Sequence, residues 1–313
     1  MDALTDILNT LRMKSSLYFR TELTAPWGIK VPSQGRVARF HIAIRGQCWL
    51  RVEDMDDDIF MSNGDLVIIP HGASHILADS PDTPATDLDD VFQEIAYPGS
   101  GPLVFGGGGA GCCLVCGEFA FDDRENHPLL DNLPTLLRVT GDQSYNARWL
   151  DSVIGFIAHE AASMQAGANA IIDRLSEIIF IQVIRTTLAS TKGHIPFLSA
   201  FTDPRISTVL SEIHRTPETD WTVESLGQVA NMSRSAFSNR FTELANMTPL
   251  QYIMFVRLQK ASRMLTEGYD SLPAIAESIG YKSEAAFSLA FKRQFGVRPG
   301  EYRRLNISSR QRS

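Results

Sequence analysis

Thr222-Val-Glu-Ser-Leu-Gly-Gln-Val-Ala-Asn-Met-Ser233-Arg-Ser-Ala-Phe237-Ser-Asn-Arg-Phe241-Thr-Glu-Leu244 is the stretch that decides the fold of the C-terminal third. Apolar residues first recur at helical spacing, the pattern then breaks, and Ser233 is placed to cap a second helix. In that helix Phe237, Phe241 and Leu244 form one buried face. The opposite face is polar and consists of Arg234, Ser235, Ser238 and Asn239. The pattern predicts a helix-turn-helix unit with its polar face open to a partner.

A second stretch, Leu272–Phe295, repeats this pattern around a Gly-containing turn. Its buried stripe consists of Phe287, Phe291 and Phe295. Between the two units, Pro249 suits a first helical turn, and Leu250–Thr266 contains neither Gly nor Pro. A helix of that length spans roughly 27 Å. Two reading helices held that far apart suit successive major grooves of double-stranded DNA, which recur about every 34 Å.

This series of spacings resembles the DNA-binding domain of the arabinose-regulator (AraC/XylS) family of bacterial transcription regulators and covers about a third of the chain. A helical-bundle core alone would not explain two Ser-capped helices and two turns at matching offsets. The matching positions are Ala230, Ser233, Phe237, Phe241, Thr248-Pro249, Tyr252, Arg257-Leu258, Ala261, Leu265, Ile275-Ala276, Gly280-Tyr281, Phe287, Phe291-Lys292, Phe295-Gly296, Pro299 and Tyr302-Arg303.

The resemblance implies which side chains meet DNA. In the first groove the implied base contacts are Ser235, Ser238 and Asn239, and in the second they are Glu284, Ala285, Ser288 and Leu289. Ala285 and Leu289 offer only methyl contacts to thymine, so we expect the second unit to grip the backbone more than it reads bases. The expected backbone contacts are Arg234, Lys282, Ser283, Lys292, Arg293 and Arg298. The alternative for any one of these cations is ordinary solvated surface charge.

The charge of the chain is divided between its two parts. The whole chain carries a net charge of −7, whereas residues 203–313 hold 15 Lys and Arg against 11 Asp and Glu. Only this third is cationic and suited to phosphate. The 313 residues are enough for two domains, and a membrane-length apolar run and a signal peptide are both missing from the sequence. With four cysteines, this predicts a reducing bacterial cytoplasm, with the protein on the nucleoid when bound to DNA.

The N-terminal part favours β-structure. Short strand-like runs are separated by Gly, Pro, Asp and Asn, without crossover helices, which indicates an antiparallel barrel or sandwich. The predicted strands are Val37–Ile44, Cys48–Val52, Asp65–Ile69, Phe92–Ala96 and Leu114–Phe121. The predicted fold class is therefore α+β with two domains: an N-terminal antiparallel β-barrel followed by a helical dimerisation segment, and a C-terminal all-α double helix-turn-helix domain.

Within the β-part, Gly64-x5-Pro70-x-Gly72-x2-His75 resembles the second motif of the cupin barrel. The first motif departs from the pattern: His41 fits, but Ala43 stands at the second histidine position, and Gln47 or Cys48 stands where a glutamate is expected. The resemblance implies a cupin-like sensory domain. We predict neither a metal nor another cofactor, and the weak candidate ligands are His41, His71 and His75.

Several roles remain open for this domain. His41 and His75 would line a cavity for a small effector, or would simply pack. The rival function is a cupin-type metal-dependent enzyme with an appended DNA-binding domain, against which the missing ligand at Ala43 argues. A third possibility is a constitutive DNA-binding protein with a structural barrel. We predict a regulator and not an enzyme.

Three cysteines follow a glycine run, and Cys113-x2-Cys116 has the spacing of a redox or metal pair. If this segment is a strand, Cys113 and Cys116 point to opposite faces, whereas Cys112 and Cys116 share one. The thiols are either small buried hydrophobes or sensors of an oxidant or electrophile. Similarity to oxidant-sensing regulators favours Cys116 most, with Cys112, Cys113 and Cys48 as further candidates.

Two helical stretches, Ala147–Met164 and Asn169–Ala189, separate the predicted barrel from the DNA-binding part. Their predicted apolar stripes consist of Trp149, Val153, Phe156, Ile157, Ile171, Leu175, Ile178, Ile179 and Gln182. We expect a homodimer interface here, with packing onto the barrel as the alternative. The predicted segments are a barrel at 1–142, a helical hairpin at 143–192, a linker at 193–204, the DNA-binding domain at 205–305 and a tail at 306–313. RNA polymerase is a further expected partner.

Overall fold

The computed structural model describes residues 3–11, 13–35, 37–98, 101–121, 127–140, 147–163, 165–190 and 195–310. Their described residues form two compact units. The sandwich unit lies within Met13–Asp122 and Leu133–Ser190, and the helical unit lies within Met1–Arg12, Asp123–Asn132 and Thr191–Ser313. The five predicted segment boundaries stay predictions. None of the described helices combines the length and apolar character that crossing a bilayer requires.

The secondary structure consists of short strands followed by helices. The described strands are β1 (Met13–Thr24), β2 (Gly28–Val31), β3 (Val37–Arg45), β4 (Gln47–Val52), β5 (Ile59–Ser62), β6 (Leu66–Ile69), β7 (His75–Ala78), β8 (Thr86–Asp87), β9 (Leu103–Gly106), β10 (Gly111–Phe121) and β11 (Leu137–Val139). The described helices are α1 (Ala3–Thr10), α2 (Leu88–Glu94), α3 (Pro128–Asp131), α4 (Ala147–Ser163), α5 (Ala168–Ser190), α6 (Ser199–Thr202), α7 (Pro204–Arg215), α8 (Val223–Val229), α9 (Arg234–Ala245), α10 (Pro249–Glu267), α11 (Leu272–Ser278), α12 (Glu284–Phe295) and α13 (Pro299–Arg310).

The strands form two sheets that enclose one apolar core. One sheet has the order β11-β6-β3-β10-β1-β9 and the other has the order β5-β4-β7-β2-β8. The α+β layout is confirmed, but the expected closed barrel is wrong, because among the described strands no ladder joins one sheet to the other. The strands at the sheet edges are only two to four residues long, so the core is enclosed by two facing layers instead of a continuous ring of hydrogen bonds.

Four of the five predicted strands are confirmed, and the fifth is wrong. Phe92–Ala96 does not form a strand, because most of it belongs to α2 or its C-terminal cap. Leu88, Val91, Phe92 and Ile95 recur at positions i, i+3, i+4 and i+7, which places them on one face of a helix and against the sandwich core. Two aspartates in the first turn of α2 add favourable charge at its N-terminus.

The helical hairpin α4–α5 confirms both predicted helices, although Met164 lies outside the described residues. The predicted stripe is only partly right: Ile157 and Ile179 are buried, whereas Phe156, Ile171 and Ile178 are 62%, 45% and 45% exposed. The inner face of the hairpin is rotated from the predicted one. It consists of Leu150, Ile154, Ile157, Ile172, Ile179, Phe180, Val183 and Ile184, and the ring of Phe180 lies 5.1 Å from that of Phe119 in β10.

The helical unit follows the two predicted repeats. In each repeat a serine caps the second helix, and the phenylalanine stripe of that helix is buried. Between the repeats, α10 has 19 residues, begins at Pro249 and carries a capping box between Thr248 and Gln251. Residues 195–203, within the predicted linker, contain α6, and the Phe197 amide donates to Leu244 O in the helical unit.

Gly280, in the turn before α12, permits a direct test of this packing. It adopts φ +80°, and a Cβ there would lie 2.5 Å from Glu218 O. We expect Gly280→Ala to lower the free energy of unfolding by at least about 1 kcal/mol, because an L-residue is strained in this conformation and the carbonyl must move. The measurement is urea unfolding followed by circular dichroism.

Gly300, in the first turn of α13, is the matched control, because a Cβ there would meet nothing within 4 Å. We expect Gly300→Ala to leave stability unchanged or raise it by up to about 1 kcal/mol. Equal effects of the two substitutions would contradict the proposed constraint at Gly280.

Candidate nucleic-acid interface and sandwich core

The second helix of the first repeat, α9, presents a polar outer face. Its cap is Ser233, whose Oγ accepts the Ala236 amide at 3.3 Å. Phe237 and Phe241 hold its inner face in the core with ring centroids 5.6 Å apart. Of the predicted contact residues, Arg234, Ser235 and Asn239 are exposed and Ser238 is half-buried.

The second helix of the second repeat, α12, is built in the same way with different outward chemistry. Ser283 Oγ accepts the Ala286 amide at 3.2 Å. Glu284 and Ala285 are exposed, Ser288 is half-buried, and Leu289 is 73% exposed. An exposed leucine on a capped helix supplies methyl groups without an acceptor or donor, which fits apolar contact better than hydrogen-bonded reading of a base.

Exposed cations lie in α12 and directly before and after it. The predicted backbone contacts Lys282, Ser283, Lys292, Arg293 and Arg298 are all exposed. Arg240 of α9 differs from them, because its guanidinium pairs with Asp203 at 3.0 Å and with Glu243 at 3.3 Å. Arg240 therefore links α9 to the start of α7.

Arg257 of α10 fixes the two repeats to each other. Its guanidinium donates to Pro217 O at 2.7 Å, to Thr219 O at 2.9 Å and to Gly280 O at 3.4 Å. The first two carbonyls precede α8, and the third lies in the turn between α11 and α12. One planar side chain thus connects the first repeat to the turn of the second.

The sandwich core contains a chain of three hydrogen-bonding side chains. Cys116 Sγ lies 3.1 Å from His41 Nδ1, and His41 Nε2 lies 2.8 Å from His75 Nε2. His75 Nδ1 lies 2.9 Å from Ala73 O. All three side chains are at most 4% exposed. The structure therefore brings together the leading thiol candidate and two of the three histidine candidates.

The protonation states of Cys116, His41 and His75 follow from the burial of the two histidines and from the hydrogen bond of His75 to Ala73 O. Burial lowers the pKa of His75 to about 4, and burial together with the neighbouring His75 and Arg39 holds the pKa of His41 well below its usual value. Both rings are therefore neutral near pH 7. Because Ala73 O only accepts, His75 Nδ1–H donates to it, so His75 Nε2 accepts from His41 Nε2–H. His41 Nδ1 is then an acceptor, and the Cys116 thiol donates to it.

The same thiol is stabilised in its protonated form. Burial, followed by the neighbouring Cys112 and Cys113 sulfurs, raises the pKa of Cys116 above its usual value. The Cys116–His41–His75 chain is thus neutral throughout and has one direction of hydrogen-bond donation. Of the two sulfurs on the inner face of β10, this is the one less suited to act as a thiolate.

A cupin-type metal does not fit these residues. His71, the third candidate ligand, is exposed and its Nε2 contacts Leu133 O at 2.9 Å. Ala43 adds only a methyl group to the core. Within the described ranges, His, Cys, Asp and Glu side chains form no group of three arranged to hold a metal ion.

The four cysteines are all buried and reduced. Cys112, Leu114 and Cys116 face the sandwich core, where Cys48 of β4 joins them from the other sheet. The predicted shared face of Cys112 and Cys116 is thereby confirmed. Cys113 points the other way, and its Sγ accepts from Arg20 Nε at 3.2 Å. Neither Arg20 nor the approach of Cys48 to Cys112 was predicted, because both depend on pairings between distant strands.

A small cavity adjoins the Cys116–His41 pair. Its volume is about 30 Å³, room for one or two water molecules, and its lining includes Trp27, Arg39 and Leu114. Trp27 Nε1–H is a buried donor without a partner among the described residues. Sequence reasoning missed Trp27, which directly precedes β2, and Arg39 of β3, because no shared motif links them.

Two family models match the chain. The cupin model matches residues 2–189, and a helix-turn-helix domain model matches residues 226–305. The first covers more than half of the chain, and the second spans both α9 and α12.

Two known relatives match over nearly the full length, and a third matches over about two thirds of its own length. A putative AraC-like transcription regulator of Streptomyces lividans is 33% identical over 97% of this chain and 98% of its own length. The transcriptional regulator AlkR of Acinetobacter baylyi is 31% identical over 97% of this chain and 99% of its own. The RCS-specific transcriptional activator RclR of Escherichia coli is 34% identical over 61% of this chain and 67% of its own.

The capped twin helices, the family models and these full-length relatives agree: this chain belongs to the AraC-like family of DNA-binding transcription regulators, with an N-terminal cupin domain.

Proposed function

We propose that the protein reads two successive major grooves with α9 and α12. The observation that carries this proposal is the pairing of two Ser-capped helices of 12 residues, with exposed outer faces, that precede and follow the 19-residue α10 in the chain. At about 1.5 Å per residue α10 is about 28 Å long, close to the groove repeat of about 34 Å.

The two helices divide the work of recognition. Ser235, Ser238 and Asn239 supply hydrogen-bonding groups to bases in the first groove, where an amide side chain suits adenine. In the second groove, Glu284 and Ser288 supply polar contacts, while Ala285 and Leu289 contact thymine methyl groups. Five cations and the capping residue Ser283 hold the DNA phosphates and set the register of the protein on the duplex. The cations are Arg234, Lys282, Lys292, Arg293 and Arg298.

The second part of the proposal is a homodimer through the α4–α5 hairpin. The inner face of the hairpin packs on the sandwich, while Phe156, Ile171 and Ile178 remain exposed. Burying these side chains against a second copy removes apolar surface from water. A dimer would place two DNA-binding units on one operator, from which the protein contacts RNA polymerase in the bacterial cytoplasm.

The third part is that the sandwich core senses a signal and is not a catalytic site. The part of the chain that the structure describes offers no complete metal-ligand set, and the cavity beside Cys116 admits only a very small molecule. Both features favour sensing over catalysis. The signal would act by a reaction at the thiols or by a ligand that opens the core. The signal acts by favouring one arrangement of the regulator over another.

The DNA contacts are tested on a site first identified by selecting genomic fragments with the reduced full-length protein. We expect Asn239→Ala to weaken binding to that site by about 5- to 150-fold and to relax preference at one base, because a bidentate base contact discriminates by about 1–3 kcal/mol. Fluorescence anisotropy on operator variants with single base changes measures both effects.

Two variants serve as comparisons for Asn239→Ala. Lys292→Ala should weaken binding to all sequences equally and reduce the slope of log affinity against log salt by about 1. Thr208→Ala, at an exposed position of α7, should bind like the parent. Unchanged base preference in Asn239→Ala would remove this residue from the proposed readout.

The proposed dimer is tested at Ile178, the exposed apolar position in the middle of α5. We expect Ile178→Asp to be monomeric at concentrations where the parent is dimeric, because the contact would bury an unpaired carboxylate. Sedimentation equilibrium gives the mass of each variant. Asn169→Asp, which adds the same charge at an exposed polar position of this helix, should remain dimeric. A dimeric Ile178→Asp protein would place the interface elsewhere.

A further inference from the structure

We propose that Cys48 and Cys112 form a redox-active pair that a hydroperoxide converts into a disulfide between the two sheets of the sandwich. The proposed disulfide is inferred from the positions of the two thiols. Its consequence for DNA binding rests on the proposed sensing function of the core.

The backbone brings the two thiols together from different sheets. Cys48 lies in β4 and Cys112 in β10, and both belong to the same buried cluster. Gly46, in the turn before β4, fits closely against the start of β10: a Cβ on Gly46 would lie 2.4 Å from Gly111 O and 3.0 Å from the Cys112 Cα. A hydrogen bond between these two thiols is the largest influence on the pKa of each. A disulfide requires such a close approach of the two chain segments, with both thiols in the same part of the core.

The pKa values of the two thiols are shifted in opposite directions. The hydrogen bond from Cys48, together with the positive charge of Arg45, lowers the pKa of Cys112. The same hydrogen bond and burial raise the pKa of Cys48. Cys112 is therefore the attacking sulfur, because the thiolate is the nucleophile, and Cys48 is the thiol that resolves the oxidised product.

The position of Cys112 also favours attack. It directly follows residues 106–111, which are all exposed, and the register between β10 and β3 shifts just after it, between Cys113 and Leu114. A small oxidant therefore reaches Cys112 by displacing one turn of glycines. Cys116 lies further along β10 and donates to His41, so its sulfur is held as a thiol, whereas the hydrogen bond with Cys48 lowers the pKa of Cys112.

The reaction is a two-electron oxidation in two steps. The Cys112 thiolate attacks one oxygen of the hydroperoxide, so an S–O bond forms, the O–O bond breaks and the other oxygen leaves as water or alcohol after taking a proton. Cys48 sulfur then attacks the Cys112 sulfenic acid, the S–S bond forms, and the S–O oxygen leaves as water with the Cys48 proton. Two thiols lose two electrons, and the peroxide gains them.

The product is a covalent cross-link between the six-stranded and five-stranded sheets. It lies on the same face of β10 as Cys116, four residues away, and the pKa of Cys116 already responds to the Cys112 sulfur. Shortening the separation of the two sulfurs to a bond shifts β4 against β10 in the same core that contains the Cys116–His41–His75 chain. The cross-link thus changes the packing around the sensing residues without a ligand entering the cavity.

The sequence permits direct mapping of the bond. Trypsin releases Cys48 in the peptide Gly46–Arg51, and the other three cysteines together in Val52–Arg124. Reduced full-length protein is treated with a small excess of hydrogen peroxide, blocked with N-ethylmaleimide, digested without reductant and analysed by mass spectrometry. We expect the two peptides linked with the loss of two hydrogen atoms, and two of the four thiols unreactive toward the blocking reagent.

Matched variants identify the partner of Cys48. The link should persist in the Cys113→Ser, Cys116→Ser double variant and disappear in Cys112→Ser. A link that persists in Cys112→Ser, or oxidation that leaves all four thiols free or marks Cys116 alone, would overturn the proposal. If a variant does not fold, fragmentation of the linked peptides from the unmodified sequence answers the question, because it locates the two N-ethylmaleimide labels within Val52–Arg124.

Parallel binding measurements separate this inference from the proposed function. We expect oxidation to change the affinity of the parent for its selected DNA site by at least about fivefold, and to leave Cys48→Ala unchanged. Reduced protein that binds no DNA would refute the regulator's proposed readout while leaving the disulfide standing. A disulfide that forms without changing DNA affinity would refute its role in sensing.

Discussion

The three hydrogen bonds from Arg257 are the constraint on which the reading geometry depends. A guanidinium presents several N–H donors in a rigid plane, so it can hold Pro217 O, Thr219 O and Gly280 O at once. A lysine offers a single flexible ammonium and would leave at least one of these carbonyls without its partner. The turn of the second repeat is therefore fixed relative to the loop of the first.

Gly280 and Arg257 depend on each other. A Cβ at Gly280 would lie 2.9 Å from Arg257 Nη2, so the close approach of the guanidinium needs a residue without a side chain as well as the positive φ of the turn. The sequence shows both residues as motif positions, but only the structure explains them as one contact. Because α12 begins directly after this turn, the contact also sets where the second reading helix starts.

How far the sequence predicts this protein differs between its two units. The helical repeats are local: caps such as Ser233 and stripes such as Phe287, Phe291 and Phe295 lie within a few residues of each other, so their spacing is sufficient. The sandwich depends on pairings between distant strands. Period-two reasoning placed Cys112 and Cys116 on one face, but it could not show that Cys48 meets Cys112, because that requires the packing of two sheets. The segment of α2 was wrongly predicted as a strand for a different reason: a short apolar run fits both the two-residue period of a strand and the 3.6-residue period of a helix.

The departures from the cupin motif change which side chains meet in this core. By resemblance, Ala43 stands where the motif has its second histidine, and Cys48 is one of two residues at the position of its glutamate. The backbone frame that would gather ligands around a cation is kept, as the contact of His41 with His75 shows. Without a cation, two neutral histidines can approach to 2.8 Å only by sharing a proton, and their free ends then select a thiol on one side and a carbonyl on the other. The same substitutions leave the Cys48 thiol in the core with Cys112, and the hydrogen bond between them shifts the pKa values of the two thiols in opposite directions.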